Sequence, residues 1–516
     1  MNVLSATLVI AGASLVSRIL GMLRNRIFAS MFGAGDELDA YFAAFRIPDF
    51  LLNLLILGAF SAAFIPVFTD LISRKKKKHA FLVANSVLNL ILMVMLALSV
   101  IVLVFAPQLM YLITPGFSPE KLDVTANLTR IMLLSPLLFG ISTVIGGILN
   151  SYRKFFSYAI APVMYNLGII LGTLVFAPRF GVYGLAIGVG VGALLHVLIQ
   201  VPATLGTGFR YRPKLKIKDY FLIKIGKLML PRAAGLAVTQ INLIVITVIA
   251  STLMAGSVAI FNFANDLQNL PVSLFGISFA IAVFPTLARN ASLKQFKKFN
   301  HNFSYTFRQI TFLIVPAAVG LFLLRAQIVR LVLGSGKFDW EDTYYTAATL
   351  GLFCIGLIGQ ALIPLVARAF YALQDTKTPV FISISSVILN IGLSLLFVRM
   401  MGVVGLALAF SISSLINAAL LYWMLHRRIR WIDDRAILIT FLKSLASSVV
   451  MGFVIYGVLY LVAEIVNMQM GWGILVQTCA AALAGFGAYM IIAWVWGCEE
   501  ISAVKKFLKK LAGIKI

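Results

Sequence analysis

The sequence contains few of the side chains from which catalytic and metal-binding sites are usually built. It has only four histidines and three cysteines in 516 residues. Cys354, Cys479 and Cys498 stand apart in apolar surroundings, without metal-type spacing or an obvious pairing. A phosphate-binding Gly-Lys-Ser/Thr loop, a zinc-type histidine spacing and a nucleophile elbow are also missing. We therefore predict a protein that has no metal or other cofactor and is not an enzyme.

Negative charge is scarce as well. Asp and Glu number 18 against 43 Lys and Arg, which gives a formal net charge of +25. Such an excess could indicate a nucleic-acid partner, but the basic residues fall mostly in short segments between apolar runs. Membrane topology and attraction to anionic lipids explain this distribution better. We expect contact with membrane lipids and no nucleic-acid partner.

Long apolar runs, in contrast, are abundant. The chain is 61% hydrophobic and 12% charged, with a mean hydropathy of +0.99, which exceeds the values of soluble globular proteins. About fourteen apolar segments of roughly 20 residues are long enough to span a bilayer as helices. They are centred near about residues 15, 55, 98, 139, 168, 193, 240, 272, 320, 358, 390, 414, 450 and 484. The predicted fold is an all-α polytopic membrane protein whose first segment, lacking a signal-peptide cleavage pattern, is retained.

Basic clusters follow every second predicted span. They read "SRKKKKH", "YRKF", "RYRPKLKIKDYFLIKIGK", "RNASLKQFKK", a lone Lys377, "HRRIRWIDDR" and, at the C-terminus, "KKFLKK". The intervening loops are poor in Lys and Arg, and "GDELD" and "KFDWED" are acidic. By the positive-inside rule, both termini are predicted to be cytoplasmic.

Two pairs of segments repeat at one offset. "NLGIILGTLVFAPRFGVYGLAIGVG", from Asn166, resembles "NIGLSLLFVRMMGVVGLALAFSI", from Asn390, and "GAFSAAFIPVFTDL" resembles "GISFAIAVFPTLARN" at a similar offset of roughly 220 residues. About six spans separate the copies, which predicts two parallel six-helix lobes, residues 1–222 and 223–435, followed by two helices and a basic tail in 436–516. Similar composition of Gly-rich helices is the alternative explanation. Two such lobes favour a transporter that works by alternating access.

Three arginines interrupt the first apolar span. Arg18, Arg24 and Arg26 lie in "SRILGMLRNRIFASMFGAG", and a charge within a bilayer is costly unless it faces a wet cavity with a partner. Arg46, just before Pro48, and Arg232, from the opposite lobe, are further candidates for a cationic cavity. Guanidinium groups suit phosphate oxygens, so the cavity fits a phosphorylated or pyrophosphorylated substrate. Alternatively, some of these arginines only extend to the interface, Arg26 most of all.

Two acidic residues lie near these arginines in the sequence. Asp39 and Asp49 are candidates to hold the arginines when the site is empty. For Asp39, a helix cap on the loop side is an equally simple interpretation.

The same stretch resembles a known family. "SRILGMLRNRIFASMFGAGDELDAYFAAFRIPDFLLNLLILGAFSAAFIPVF" is similar to the N-terminal signature of the MurJ (MviN) family, the lipid II flippases of the MOP superfamily. Four more motifs extend the resemblance along the chain: "TPGF", "ILNSYRKFFSYAIAPVMYN", "GKFDWED" and "YALQDTKTPV". Lipid II is an undecaprenyl-pyrophosphate that carries a disaccharide-peptide.

The resemblance implies that lipid II moves from the inner to the outer leaflet of the bacterial cytoplasmic membrane for peptidoglycan synthesis. It implies fourteen helices, a central cationic cavity, and a groove on the last two helices that takes the lipid tail. Arg18 and Arg24 occupy the family's positions for cavity arginines, and Asp39 matches an acidic position. Cell-wall synthesis proteins are then possible partners.

Four positions depart from the family pattern. Leu57 stands where a Glu usually precedes "GAFS", Leu52 where many members have an Arg, and Asn25 where an Asp is common. Asp266, in "FANDL", stands where the family has a cation. A sodium-binding acid found in some members corresponds to an apolar position near Ile246, so we expect no sodium site. Arg26, Arg46 or Arg232 could compensate for the missing charges.

Other functions stay open at this point. One is a flippase for a different undecaprenyl-pyrophosphate-linked glycan, such as an O-antigen unit, which the altered positions favour. A MATE-type antiporter would need acidic residues in the cavity, and Asp266 is the only hint of one. A scaffold that does not transport would bind its partners through basic loops such as "SRKKKKH".

Overall fold

The computed structural model describes residues 3–53, 59–429, 432–468 and 470–501, and within these ranges every element is helical. The side chains of residues 3–8, 11, 59, 61–62 and 230–236 are not described. Leu57 and the basic C-terminal tail lie outside the described residues. The chain forms two compact units, Met1–Ala259 with Ser335–Phe338, and Ile260–Gly334 with Asp339–Ile516. The predicted lobe boundaries after residues 222 and 435 were drawn from repeated sequence motifs and not from contacts, so they stay predictions.

The first unit consists of helices of very different lengths. They are α1 (Val3–Phe32), α2 (Asp36–Ala44), α3 (Arg46–Leu52), α4 (Ala59–Ser73), α5 (Lys77–Ile113), α6 (Pro119–Met132), α7 (Leu134–Ser151), α8 (Phe155–Phe180), α9 (Val182–Leu198), α10 (Val201–Leu205) and α11 (Tyr220–Ser251). Pro48 lies in the first turn of α3, where a missing N–H costs no helical hydrogen bond. The proline therefore fits a helix that restarts at Arg46 after α2 ends.

The second unit is built in the same way. Its helices are α12 (Ser257–Pro271, which begins in the last residues of the first unit), a π-helical stretch (Val272–Ile277), α13 (Ser278–Ser292), α14 (Phe296–Leu323), α15 (Arg325–Val332), α16 (Trp340–Ala372), α17 (Lys377–Met401), α18 (Val403–Arg428), α19 (Asp434–Ile465) and α20 (Gly471–Val495). Asp339 begins α16 with a capping box, in which its carboxylate accepts from the backbone N–H of Asp342.

Eleven helical segments of the described chain are long and apolar enough to cross a membrane. The predicted all-α, multi-pass membrane fold is confirmed. The other three predicted spans are centred near about residues 15, 55 and 240. The first falls on α1 and the last on α11, and the centre of the second falls between α3 and α4, in residues 54–58, outside the described residues. The number fourteen therefore stays a prediction.

The turns that end four helices repeat along the chain. Lys75, Arg153, Lys294 and Gln374 are the non-glycine residues with positive φ in the described chain, with φ between 55° and 62°. The N–H of each of these residues donates to the carbonyl oxygen three residues earlier, and the N–H of the following residue donates to the carbonyl oxygen five residues earlier. This is the Schellman pattern of a helix C-terminus. Lys75 corresponds to Lys294, and Arg153 corresponds to Gln374, at an offset of about 220 positions along the sequence. The backbone thus repeats at the offset predicted from the sequence.

Small residues bring α8 close to α9. A Cβ atom added at Gly172 would lie 2.3 Å from the Cα atom of Gly188, so only glycine allows this approach. On another face, α8 packs along α1. This packing places the polar side chain of Asn166 beside Arg24 of α1.

Candidate functional site

Arg24 of α1 is held by neutral acceptors. Its Nε and Nη2 atoms donate to Oδ1 of Asn25 at 3.2 and 3.0 Å, and its Nη1 donates to Oδ1 of Asn166 at 3.4 Å. Its guanidinium carbon lies 5.7 Å from the ring centroid of Phe28. An amide oxygen accepts a hydrogen bond without cancelling the positive charge, so these contacts orient the guanidinium but do not neutralise it.

Asn166 presents its oxygen to Arg24 because its amide nitrogen is already engaged. Nδ2 donates to the carbonyl and hydroxyl oxygens of Ser17 at 3.2 and 3.1 Å, and to the carbonyl of Pro162 at 3.1 Å. The Asn166 side chain is buried. These acceptors fix which end of the amide faces the arginine. The sequence analysis quoted Asn166 only as part of a repeat, because a lone Asn in an apolar helix does not reveal its distant partner.

Arg46 begins α3 and reaches α11. Its Nε donates to Oγ1 of Thr247 at 2.7 Å, while that hydroxyl donates to the carbonyl of Leu243 at 2.9 Å. Gln240 adds a second link, from Nε2 to the backbone carbonyl of Asp49 at 3.2 Å. Arg46 is therefore anchored between two helices of the first unit.

Asp39 forms a different arrangement. One carboxylate oxygen accepts from the Nζ of Lys121 at 2.9 Å and from the N–H of Gly256 at 2.8 Å. The other accepts from the N–H of Ala259 at 2.9 Å. Lys121 also donates to Asp36 at 2.6 Å, and its Nζ lies 3.9 Å from the ring centroid of Phe117. Asp39 is 1% exposed. Its carboxylate pairs with Lys121 and accepts hydrogen bonds from the backbone at the N-terminal end of α12.

Lys121 was missed by the sequence analysis. A signal was available, because Lys121 follows a serine N-cap and Pro119 at the start of α6, in a loop otherwise poor in cations. The acidic segment "GDELD" offered carboxylates with which Lys121 could form an ion pair. Only the fold, however, brings residues 85 and 82 positions apart into contact.

The remaining candidates are not joined to Arg24 by the hydrogen bonds described above. Arg18 is exposed on α1 and Arg26 is half-buried. Arg232 belongs to α11, but its side chain is not described. Their roles in substrate binding stay predictions.

The positions that depart from the family pattern have different surroundings. Asn25 is buried and accepts two hydrogen bonds from Arg24, whereas half-buried Leu52 packs against the apolar core of the first unit. Leu57 lies outside the described residues. Asp266 is exposed on α12 in the second unit, and Ile246, at the doubtful sodium position, is buried. In the described part of the chain, no three His, Cys, Asp or Glu side chains are grouped as a metal site would need.

Comparison with protein families decides the chain's membership. A family model described as "Lipid II flippase MurJ" matches residues 28–480. The chain belongs to the MurJ family. Because the match begins after Arg24, the contacts of that arginine rest on the structure and not on the family model.

Individual relatives agree with the family match. The probable lipid II flippase MurJ of Vibrio cholerae is 33% identical over 438 residues, covering 82% of this chain and 83% of the relative. The probable lipid II flippase MurJ of Haemophilus influenzae is 32% identical over 509 residues, covering 93% and 98% of the two chains. MurJ membership therefore extends over nearly the whole sequence.

Solved structures show the same fold. A lipid II flippase MurJ in an inward closed conformation superposes with a TM-score of 0.79 at 28% identity, covering 95% of this chain and 98% of the other. An inward-facing MATE-family multidrug transporter of the MOP superfamily gives a TM-score of 0.67 at 17% identity, covering 80% and 94%. The second likeness concerns the fold alone.

Proposed function

We propose that this protein is a lipid II flippase that moves its substrate from the inner to the outer leaflet of the bacterial cytoplasmic membrane. It acts by alternating access and makes or breaks no covalent bond, so it is a transporter and not an enzyme. Membership of the MurJ family supports the substrate. The eleven apolar helical segments support the setting in a membrane.

The state of Arg24 is the observation that carries this proposal. Its three hydrogen bonds to Asn25 and Asn166 use three of the five N–H groups of a guanidinium. Two N–H groups and the positive charge are left for phosphate oxygens. A charge-assisted hydrogen bond of this kind contributes roughly 1.5 to 3 kcal/mol.

Three finer features belong to the same proposal. Both termini are cytoplasmic, since the basic clusters follow every second span. The membrane potential contributes to the driving force, because an anionic headgroup bound at a cationic site crosses the field. The polyprenyl tail lies along α19 and α20, where Phe453 and Leu483 expose apolar surface.

Cells depleted of their own lipid II flippase provide the test. Expression of this protein should restore growth and remove the lipid II that accumulates on the inner leaflet. Arg24→Ala should abolish rescue and Arg24→Lys should retain part of it, because the lysine keeps the charge without the planar donors. Arg179→Ala, at an exposed position of α8, is the matched control and should rescue fully.

Failure of the inserted, well-expressed wild-type protein would contradict lipid II as the substrate. Restored export of an O-antigen-type glycan would then favour the alternative undecaprenyl-pyrophosphate substrate. Full rescue by Arg24→Ala would show that the Arg24 charge is not needed. A scaffold function would instead be favoured if the wild-type protein failed to rescue and cytoplasmic proteins co-purified with it through the basic loops.

A separate test asks whether another arginine compensates for the charges that the family carries and this chain lacks. If Arg232 supplies the missing cation, Arg232→Ala should abolish rescue, and near-normal rescue would exclude that role. Arg46→Ala and Arg26→Ala, measured beside it, assign the compensation to one of the three positions or to none.

A further inference from the structure

A basic segment between α10 and α11 is fastened to α5 by its backbone. We call residues 208–217 the basic strap. Asn85 of α5 donates to the carbonyl of Arg210 at 3.3 Å and accepts from the N–H of Arg212 at 2.8 Å. Asn89 donates to the carbonyls of Arg212 and Lys214 at 3.3 and 2.9 Å. Because these bonds use the strap's backbone, its basic side chains remain available.

Four cations line one cavity beside this strap. Lys78 of α5 and Arg210, Arg212 and Lys214 of the strap surround a cavity of about 350 Å³. All four side chains are exposed, and no carboxylate contributes to the lining. Within the described chain, these four side chains form neither a hydrogen bond nor an ion pair. The cavity therefore concentrates positive charge that the protein itself does not balance.

Two apolar grooves adjoin α5, on different faces of the helix. One, of about 400 Å³, is lined by Leu88 and Leu92 of α5, by Ile141 and Leu205, and by Phe209 of the strap. The other, of about 160 Å³, is lined by side chains that include Leu90 and Val94 of α5 and Leu222 and Ile225 of α11. The larger groove shares strap residues with the cavity's own stretch and lies on the same face of α5, whereas the residues lining the smaller groove lie on the opposite face of that helix. The cavity and the larger groove together match an anionic headgroup with a neighbouring acyl chain.

The position along α5 agrees with the headgroup layer of a bilayer. Exposed apolar side chains run along α5 from Leu90 to Leu112, a length of about 33 Å at 1.5 Å per residue. This length matches the roughly 30 Å hydrocarbon core of a membrane. Asn85, which holds the strap, lies about 8 Å before Leu90 along the helix axis. The strap therefore lies where lipid phosphates are expected.

We propose that the basic strap and α5 bind one anionic diacyl phospholipid, with its phosphate in the four-cation cavity and an acyl chain in the larger groove. The bound lipid bridges the strap to α5 and so stabilises the connection between α10 and α11.

Native mass spectrometry of the full-length protein, titrated with phosphatidylglycerol, measures the proposed site. The variant Arg210→Gln/Arg212→Gln/Lys214→Gln removes three cations but keeps the backbone bonds to Asn85 and Asn89. At about 1 kcal/mol per cation, its affinity for the first lipid should fall about 100-fold.

The matched control removes the same charge elsewhere. Lys294→Gln/Lys297→Gln/Lys298→Gln changes three exposed lysines of the second unit and should bind the first lipid as the wild type does, within about twofold. Equal losses in the two variants, or no loss in either, would overturn the proposal. A melting temperature close to that of the wild type verifies that each variant is folded.

A second arm separates a lipid from free phosphate and from the transported substrate. Leu205→Trp fills the larger groove from an exposed position and should weaken phosphatidylglycerol binding about tenfold, the effect of about 1.4 kcal/mol of lost contact. Inorganic phosphate should not displace the lipid. Displacement by phosphate, one-for-one displacement by lipid II, or unchanged binding in Leu205→Trp would contradict a diacyl phospholipid site.

Discussion

Arg24 and Lys121 are both cations of the first unit, yet their partners differ in kind. Arg24 donates to the amide oxygens of Asn25 and Asn166. Lys121, whose side chain is 12% exposed, lies within 2.9 Å of Asp39 and 2.6 Å of Asp36. Amides leave a charge available to a ligand, whereas carboxylates cancel it. The first arrangement suits substrate binding and the second suits structural stability.

The largest expected effect is a loss of stability when the carboxylate of Asp39, the partner of Lys121, is removed. Asp39→Ala leaves Lys121 with only the exposed Asp36 and removes the acceptor of two backbone N–H groups. Breaking a buried pair of this kind should lower the free energy of unfolding by about 3 kcal/mol. Thermal unfolding in detergent measures it. Asp36→Ala, the exposed control, should cost less than about 1 kcal/mol, and equal stability of the two variants would break the comparison.

Arg24→Gln should weaken binding of lipid II but leave the stability of the protein nearly unchanged. The glutamine keeps polarity but removes the charge, so affinity for lipid II should fall about tenfold to 100-fold, corresponding to roughly 1.5 to 3 kcal/mol. The melting temperature should barely change. Lipid II titration and thermal unfolding on the same preparation compare the two properties. A large loss of stability with unchanged affinity would mean that Arg24 is structural.

Asn166→Leu tests how far the amide partners of Arg24 contribute to substrate binding. It removes one acceptor from Arg24 and the side-chain amide that donates to the oxygens of Ser17 and Pro162. We expect lipid II affinity to fall threefold to tenfold, the equivalent of roughly 1 kcal/mol, because Arg24 keeps its charge but loses orientation. Asn390→Leu, at the position paired with Asn166 in the sequence repeat, tests whether the effect is particular to the first unit. Equal losses in both variants would remove the distinction.

The smallest expected effect concerns the ion pair between half-buried Asp375 and exposed Arg428. Burial acts to raise the pKa of the Asp375 carboxyl, but hydrogen bonds from Thr378 and the Arg428 guanidinium together hold that pKa below its ordinary value. The stabilisation is therefore complete above pH values near about 4 and is lost as the pH falls through the lower pKa of the folded state. Asp375→Asn should cost at most about 1 kcal/mol at neutral pH.

The pH dependence of Asp375→Asn gives its own check. The difference in unfolding free energy between wild type and variant should shrink as the pH falls through the acidic range. A difference that grew on acidification would contradict the lowered pKa of Asp375.

The helices and the repeat were predictable because both leave signals that are local in sequence. Apolar length predicts membrane helices, and the motif offset agrees with the spacing of the turns at Lys75 and Lys294, which the sequence alone did not predict. The break between α2 and α3 was signalled only by Pro48. The number of spans was not settled, since charged or interrupted segments such as α1 do not separate clearly from spans by composition.

The candidate site was predictable only in part. Arg24 stood out because a charge in an apolar helix is rare and costly. Its partner Asn166 is 142 positions away, and a neutral amide gives no comparable signal. Asp39 had two interpretations in the sequence, and the structure shows its carboxylate with Lys121 and two backbone amides. Pairing across such distances depends on helix packing.

Transport of lipid II in proteoliposomes tests the central claim most directly. The purified protein is reconstituted with labelled lipid II, and the rate at which the headgroup becomes accessible to an external probe is measured for wild type, Arg24→Gln and Arg179→Gln. We predict equal rates for wild type and Arg179→Gln and a rate at least about tenfold lower for Arg24→Gln. Equal rates for all three proteins, or no transport by the wild type, would contradict the account.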